Sequence, residues 1–281
     1  MQVRPGIEQA GLSDVGCQRE NNEDRFSYWE PASDEDFRRK GRLAIVADGM
    51  GGYEGGQEAS RLAVEAIEQV YAGTTSEVAV APPSAPTGSS SGDSTGDVLS
   101  RDPESLLLAG FQAAHHRIQE YAVEHPELRG MGTTCTAVAL LDDRLYYAHV
   151  GDSRLYLVRN GSISKISHDH SYVSRLVEHG VISADEAESH PQRHILTAAL
   201  GSGLEISPDR PEQPIPLTAG DVLILCTDGL WGLLSDSELH EAVAGKSSTE
   251  ACTTLVKMAK DRGGPDNITL QVLRIGADAA K

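Results

Sequence analysis

Four aspartates share one local grammar: Ala47-Asp48-Gly49, Gly151-Asp152-Ser153, Thr227-Asp228-Gly229 and Pro265-Asp266-Asn267. Each stands at the edge of an apolar, strand-like run, and a polar block, Arg19-Glu20-Asn21-Asn22-Glu23-Asp24, precedes another such run. One Asp-Gly pair is ordinary turn chemistry. Four acids delivered to strand ends carry more meaning, because carboxylates gathered without bases repel one another and take up protons unless a cation joins them. No histidine or cysteine belongs to the set. The donors are therefore hard oxygens, suited to Mg²⁺ or Mn²⁺ and poorly suited to Zn²⁺. Calcium competes for the same donors, but no twelve-residue acidic loop between helices is present.

The elements that must position these acids are legible around them. Arg25 to Trp29 and Arg42 to Ala47 read as strands, and the turn DGMGG leads to a segment from Gly56. There Ala59, Leu62, Ala63, Ala66, Ile67 and Val70 recur at helical spacing. Asp48 and Asp228 each follow an apolar run and precede glycine, where the chain leaves a sheet and a ligand or carbonyl can approach the backbone closely.

Between residues 74 and 102 the composition shifts to Ser, Thr, Gly, Pro, Ala and Asp, which cannot bury enough surface to offset the entropy of ordering; this segment reads as a surface insertion. Pro103 then opens a second helix. His115 and His116 lie on it about 100° apart, so they cannot grip one ion together and read as surface or core-edge residues. Gly132-TTCTAVALL, Arg144-LYYAHV, Ser153-RLYLVR and Ser162-ISKIS follow as short strands separated by turns, an expected antiparallel meander. Residues 168 to 203 look helical and polar, Asp221-VLILCT resumes the sheet, and Asn267-ITLQVLRI is the last strand. Capping boxes at Ser183 to Glu186, Ser235 to Glu238 and Ser247 to Glu250 mark helix starts. Strands in antiparallel groups with helices between them indicate an α+β layered fold in a single domain spanning residues 1–281.

Composition narrows the function further. With 42 acids against 24 bases the net charge is −18, which repels nucleic-acid phosphate and anionic lipid. Neither nucleic acid nor membrane is an expected partner. Cys17, Cys135, Cys226 and Cys252 have no CxxC spacing, and three of them lie in apolar segments as reduced core residues. No membrane-spanning run or signal peptide is evident, so a cytoplasmic protein is expected.

The pieces SDVGCQRENNEDRF, VADGMGG, GMGTTCTAVAL, HVGDSRLYLVRNG, CTDGLWG and GGPDNITL, in this order, resemble the metal-dependent protein Ser/Thr phosphatases of the PPM or type 2C family. The likeness covers nearly the whole chain. It implies a four-layer α/β/β/α sandwich of two antiparallel sheets with helices on both outer faces. It also implies that Asp48 bridges two metal ions, that the Gly49 carbonyl with the Glu23/Asp24 pair completes one, and that Asp228 and Asp266 hold the other. A third, weaker site would involve Asp152 and Asp228. Arg19 matches the arginine that binds substrate phosphate, and Asn267 would stand behind the ligands. In that arrangement Gly49 exposes a carbonyl that a side chain would crowd, and Gly51 and Gly52 give room before the helix. Two cations about 3.5 to 4 Å apart activate a water for in-line attack on phosphorus, so no phosphoenzyme is needed. By the bare residues, a structural salt bridge from Arg19 to Glu20 or Glu23 is the alternative reading.

Some relatives carry histidine two residues after the bridging aspartate; here that residue is Met50, which cannot donate a proton. The segment 168–203 resembles the flap beside bacterial active sites, and His168, His170, His179, His190 and His194 read as flap packing and surface residues. The expected function is hydrolysis of phosphoserine and phosphothreonine in proteins, opposing Ser/Thr kinases, by a monomer using Mn²⁺ or Mg²⁺. The alternative is a non-catalytic regulatory relative that binds metal or phosphoprotein. A nucleotide-binding loop is excluded because DGMGG lacks the following Lys-Ser/Thr.

Overall fold

The computed structural model describes residues 6–52, 54–74, 102–203 and 205–276. The first part of the chain forms β1 (Ile7–Asp14), β2 (Arg25–Trp29), α1 (Asp34–Lys40), β3 (Arg42–Ala47), β4 (Gly49–Met50) and α2 (Gly55–Ala72). Next come α3 (Pro103–Glu124), β5 (Gly132–Thr133), β6 (Cys135–Leu141), β7 (Arg144–Val150), β8 (Arg154–Arg159) and β9 (Ser162–Lys165). After α4 (Tyr172–Glu178) and α5 (Ala184–Glu188) follow β10 (Ile215–Pro216), β11 (Val222–Cys226), α6 (Asp228–Trp231), α7 (Asp236–Val243), α8 (Ser248–Asp261) and β12 (Ile268–Ile275).

The strands assemble into two five-stranded sheets, in the orders β1-β12-β11-β8-β9 and β10-β7-β6-β3-β2, with the two-stranded pair β4-β5 beside them. Every pairing is antiparallel. Side-chain alternation along β3 explains the layering. Ala44 and Val46 point to a middle core shared with Leu155, Leu223, Leu225 and Leu273 of the opposite sheet. Leu43, Ile45 and Ala47 point the other way, against Leu62 and Ile67 of α2 and Phe111 of α3. Because both faces are covered, β3 is buried throughout and reads as an unbroken apolar run rather than an alternating one. The opposite sheet repeats the pattern: Tyr156, Ile224 and Val272 meet Leu239 of α7 and Leu255 of α8. The result is the expected α/β/β/α sandwich. Each fully buried Leu or Ile contributes roughly 1.5–3 kcal/mol relative to exposure.

Local signals behave as their chemistry dictates. All three capping boxes form, at Ser183, Ser235 and Ser247. Asn160 and Gly161 both take positive φ, 51° and 77°, in the tight turn joining β8 to β9. Cys135, Cys226 and Cys252 are buried free thiols, and Cys17 is exposed. His115 is buried at the core edge, its Nδ1 accepting from the Gly201 amide at 3.1 Å.

Two expectations change. The four strands after Gly132 do not form one meander. β6 and β7 pair in one sheet and β8 and β9 in the other, so the chain crosses between sheets at Gly151-Asp152-Ser153. Segment 168–203 holds only two short helices, α4 and α5, joined by turns. Two further elements, β1 and α1, are absent from the sequence reading because they carry no periodic signal. β1 is a sheet-edge strand with mostly half-buried residues, and its Gly11 leaves space taken by the Phe26 ring. α1 has one apolar residue, Phe37, and rests on its Ser33 cap and on acids in the first turn with bases in the last. Apart from Thr74 and Asp102, the expected insertion at 74–102 lies outside the described residues. Asp102 itself caps α3, its Oδ1 accepting from the Ser105 amide at 2.9 Å.

Candidate active site

Asp48 follows β3 directly and is fixed through its backbone. Its amide donates to Thr134 Oγ1 at 3.1 Å, while its carbonyl accepts from the Thr134 amide at 2.9 Å and from Thr133 Oγ1 at 2.8 Å. The carboxylate is left free to face the other acids. Gly49 is required by close approach: a Cβ there would stand 2.1 Å from the Gly56 carbonyl oxygen and 2.6 Å from that of Glu23. Of the later glycines, Gly51 does give room, since a Cβ there would stand 2.8 Å from Met131 Cα, whereas Gly52 does not. Both take positive φ, 125° and 74°, and with open space around Gly52 backbone freedom is what that position needs.

Glu23 and Asp24 are brought in by the loop before β2. The Glu23 amide donates to Asn267 Oδ1 at 2.8 Å, and its carbonyl accepts from Ser60 Oγ of α2 at 2.6 Å. Asn267 also donates through Nδ2 to the carbonyls of Val15 and Asn21, both at 3.0 Å. It clips this loop to the start of β12. The buried Asp24 accepts from Thr227 Oγ1 at 2.9 Å, and Glu23 lies against Gly56, where a Cβ would meet its Oε2 at 1.9 Å. Asp228 opens α6, and Gly229 beside it lets the Asn267 carbonyl pass within 1.9 Å of where a Cβ would be. Asp152 sits at the sheet crossing, buried, with its carbonyl accepting from Trp231 Nε1 at 2.9 Å.

These acids feel one another strongly. Asp48 and Asp228 keep an exposed edge, yet protein encloses them and they share a hydrogen bond. Burial, then the charges of Asp24, Asp228, Asp152 and Asp266, holds the Asp48 carboxyl well above its ordinary range. Burial together with Asp228 and Asp266 pushes Asp24 up to about 7. Burial with Asp228 and Asp169 raises Asp152 to about 8. Asp228 rises through burial and the charge of Asp266, and Glu23 rises mainly through burial. Arg19 stands at the rim, its Nη2 donating to Asp266 Oδ2 at 2.8 Å, and it senses the charges of Glu23 and Asp48. Its salt bridge is thus to Asp266, not to Glu20 or Glu23.

All the acids singled out in the sequence converge here, together with Gly49, Arg19 and Asn267. Among the described residues no three acidic, histidine or cysteine side chains form a ready-made cage around one point. The fit to cations rests on the donor set: hard oxygens in mutual repulsion, with a backbone carbonyl at Gly49, as Mg²⁺ and Mn²⁺ accept. The sequence reading missed Thr134 and Ser153, whose hydroxyls meet at 2.7 Å, and Trp231. The Thr-Thr of GTTCT and the Trp of TDGLWG were the available signals. Of the histidines in segment 168–203, His170 takes the Gly151 amide on Nδ1 at 3.2 Å, and the exposed His194 is near enough to Asp228 to influence its carboxyl. Met50 lies in β4, paired with Gly132.

The family profile of protein phosphatase 2C matches residues 18–262. The chain belongs to the protein phosphatase 2C family. Membership makes it a hydrolase of phosphoric monoesters. It is 33% identical over 272 residues to protein phosphatase PhpP of Streptococcus pneumoniae, covering 96% of this chain and 98% of that one. The solved structure of the S. agalactiae serine/threonine phosphatase superposes with a TM-score of 0.79 at 31% identity, over 96% of this chain and 99% of its own. The catalytic domain of the serine/threonine protein phosphatase PstP, solved with two manganese ions, gives 0.74 at 32% identity, over 96% and 99% respectively. In the phosphatase fold the acids lie beside the ends of β3, β7 and β11 and the starts of β2, β8 and β12, strands drawn from both sheets. Among the described residues no helix is long and apolar enough to cross a membrane.

Proposed function

We propose that this phosphatase hydrolyses phosphoserine and phosphothreonine in proteins at a dinuclear Mn²⁺ or Mg²⁺ centre, as one catalytic domain acting in the cytoplasm against Ser/Thr kinases. The observation that carries the reading is the convergence of Asp24, Asp48, Asp152, Asp228 and Asp266, in which burial and neighbouring carboxylates raise the pKa of Asp24, Asp48, Asp152 and Asp228, with a guanidinium at the rim. Such repulsion is relieved by divalent cations. The two manganese ions in the PstP structure give the same stoichiometry.

In this reading Asp48 would be shared by the two ions, Glu23, Asp24 and the Gly49 carbonyl would help hold one, and Asp228 with Asp266 would help hold the other. Asp152 and Asp228 would take a third. When bound, the ion pair supplies Lewis acidity and a water of lowered pKa. Arg19 turns from Asp266 to two phosphate oxygens and offsets charge that grows on them in the transition state. Thr134 and Thr133 hold the Asp48 peptide still, so that its carboxylate needs no reorganisation. Thr227 and Asn267 do the same for the Glu23-Asp24 loop. The phosphoprotein partner meets an acidic surface, with the positive charge of Arg19 confined to the mouth.

Hydrolysis of a phosphothreonine peptide after chelation, then with Mn²⁺ or Mg²⁺ restored, tests the proposal alongside Asp48→Asn and Asp228→Asn. Release of phosphate is expected only with metal and with both aspartates. Undiminished turnover in either variant would sink the assignment.

A further inference from the structure

One turn of α6 carries both Asp228 and Trp231. The Trp231 indole Nε1 donates to the Asp152 carbonyl at 2.9 Å, so this short helix carries one acid and holds the backbone of a second that arrives from a different part of the chain. The ring itself is held from the far side. The Arg154 guanidinium lies over it, 3.5 Å from the centroid. Arg154 is in turn fixed by Asp169, at 2.7 Å from Nη2 and 3.1 Å from Nε to Oδ2, and by the Tyr156 hydroxyl at 3.1 Å. Lys165 adds a bond to Asp169 at 3.0 Å. The indole N–H therefore has one direction available to it.

The loop it holds has reason to move. Asp152 follows Gly151, whose φ of 110° only glycine adopts readily and whose missing side chain lets Thr134 pack within 2.5 Å of the Cβ position. Asp152 also faces the like charge of Asp228. Without the indole donor, the buried carbonyl would lose its partner and repulsion would draw the loop away.

We propose that Trp231 is a positioning residue that sets the separation of Asp152 from Asp228 and so the affinity of the divalent cation these two acids hold. The inference rests on the metal-centre reading above. It concerns the weakest of the ion sites and leaves the Asp48 pair untouched.

Calorimetric titration of the full chain with Mn²⁺ alone, without substrate, tests it in the native protein, Trp231→Phe, Asp152→Asn and the double variant. Phenylalanine keeps an aromatic face under Arg154 and lacks the N–H. The expected result is a three- to tenfold weaker Asp152-dependent site in Trp231→Phe, on the order of one hydrogen bond, with the tighter sites unchanged. In the Asp152→Asn background the same substitution should change nothing. An unaltered titration in Trp231→Phe, an equal loss in both backgrounds, or no effect of Asp152→Asn would each overturn the inference. Urea unfolding of the metal-free variants checks the fold. If phenylalanine loosens it, benzothienylalanine at position 231, which replaces the N–H by sulfur in the same shape, carries the same expectations. Failure of the native protein to bind Mn²⁺ would sink the metal-centre reading together with this one. Binding that ignores Trp231 would sink this one alone.

Discussion

Asp48 and Thr134 are tied twice, by the Asp48 amide to Thr134 Oγ1 at 3.1 Å and by the Thr134 amide to the Asp48 carbonyl at 2.9 Å. The same hydroxyl meets Ser153 Oγ at 2.7 Å, so one threonine spans the end of β3 and the sheet crossing at Asp152. Thr134→Val keeps the shape and removes the hydroxyl, leaving a buried amide and a buried serine short of a partner. Urea denaturation should give a loss of about 1–3 kcal/mol. Because Ser153→Ala removes part of the same bond, the double variant should lose less than the sum of the two. Strict additivity would refute the shared link.

Arg19 donates to Asp266 across a pair that is largely open to solvent. Exposed ion pairs contribute about 0–1 kcal/mol, so Arg19→Ala should leave the melting temperature nearly unchanged. Its effect belongs to catalysis: kcat/KM for a phosphothreonine peptide should fall about 10- to 100-fold, consistent with loss of a bidentate phosphate contact. Arg19→Lys should recover little, since an ammonium lacks the planar fork. A lysine variant as active as the native protein would contradict this role.

Gly56 has no Cβ because Glu23 Oε2 occupies a point 1.9 Å from where it would be. Gly56→Ala should displace the Glu23 carboxylate, at a cost of about 1–3 kcal/mol in stability, and weaken Mn²⁺ binding in calorimetry. Gly52→Ala meets no such neighbour, but its positive φ makes it strained for a different reason. It should cost stability without the same loss of metal affinity.

The sequence disclosed the acids and the strands that end at them because alternation, apolar runs and Asp-Gly turns are local signals. It disclosed α2, α3 and the capped helices for the same reason. What stayed hidden depends on partners far along the chain. β1 earns its place only by pairing with β12, from Ile7 with Ile275 to Asp14 with Ile268. The crossing at Asp152 looked like one more hairpin turn, since nothing within Val150 to Arg154 tells which sheet comes next. Thr134 and Trp231 were invisible as site residues because each acts through a backbone group of a distant acid. The reversal at Arg19 has the same origin: Asp266 is its neighbour only after folding.

The charges gathered at Asp48 burden the fold when no cation is present. Asp48→Asn removes one of them at nearly constant shape. Metal-free, the variant should therefore be more stable than the native protein, by about 1–3 kcal/mol at neutral pH, although it is expected to be inactive. With Mn²⁺ at a hundred times its dissociation constant the native protein should gain about 2.7 kcal/mol, and the variant much less. Thermal melts with chelator and with Mn²⁺ read both effects. A variant less stable than native in chelator would argue against the repulsion.

His149 is buried between Thr136 Oγ1 at 2.8 Å and the Gly151 carbonyl at 3.0 Å. Burial, reinforced by His170, holds its pKa down to about 4. The unfolded chain takes up that proton near the ordinary value of about 6.5. Stability from this group is thus fully present above pH 6.5 and is lost as pH falls from there through 4, by up to about 3 kcal/mol. His149→Gln should flatten that part of the profile. Urea midpoints at pH 7.5 and 5 should draw closer together in the variant, with the acid cluster contributing equally to both proteins. An unchanged gap would mean that His149 carries no such linkage.

The strand order of the first sheet has a bearing on how the enzyme is made. Among the described residues β12 is the last strand, yet it lies between β1, the first, and β11. A nascent chain can close neither side of that gap until residues 268–275 have left the ribosome, and Asp266 and Asn267 arrive with them. Asp48 must wait for partners that follow it by more than 170 residues, the slow, non-local kind of contact. Neither the first sheet nor the acid cluster can therefore be completed before residues 266–275 have been made.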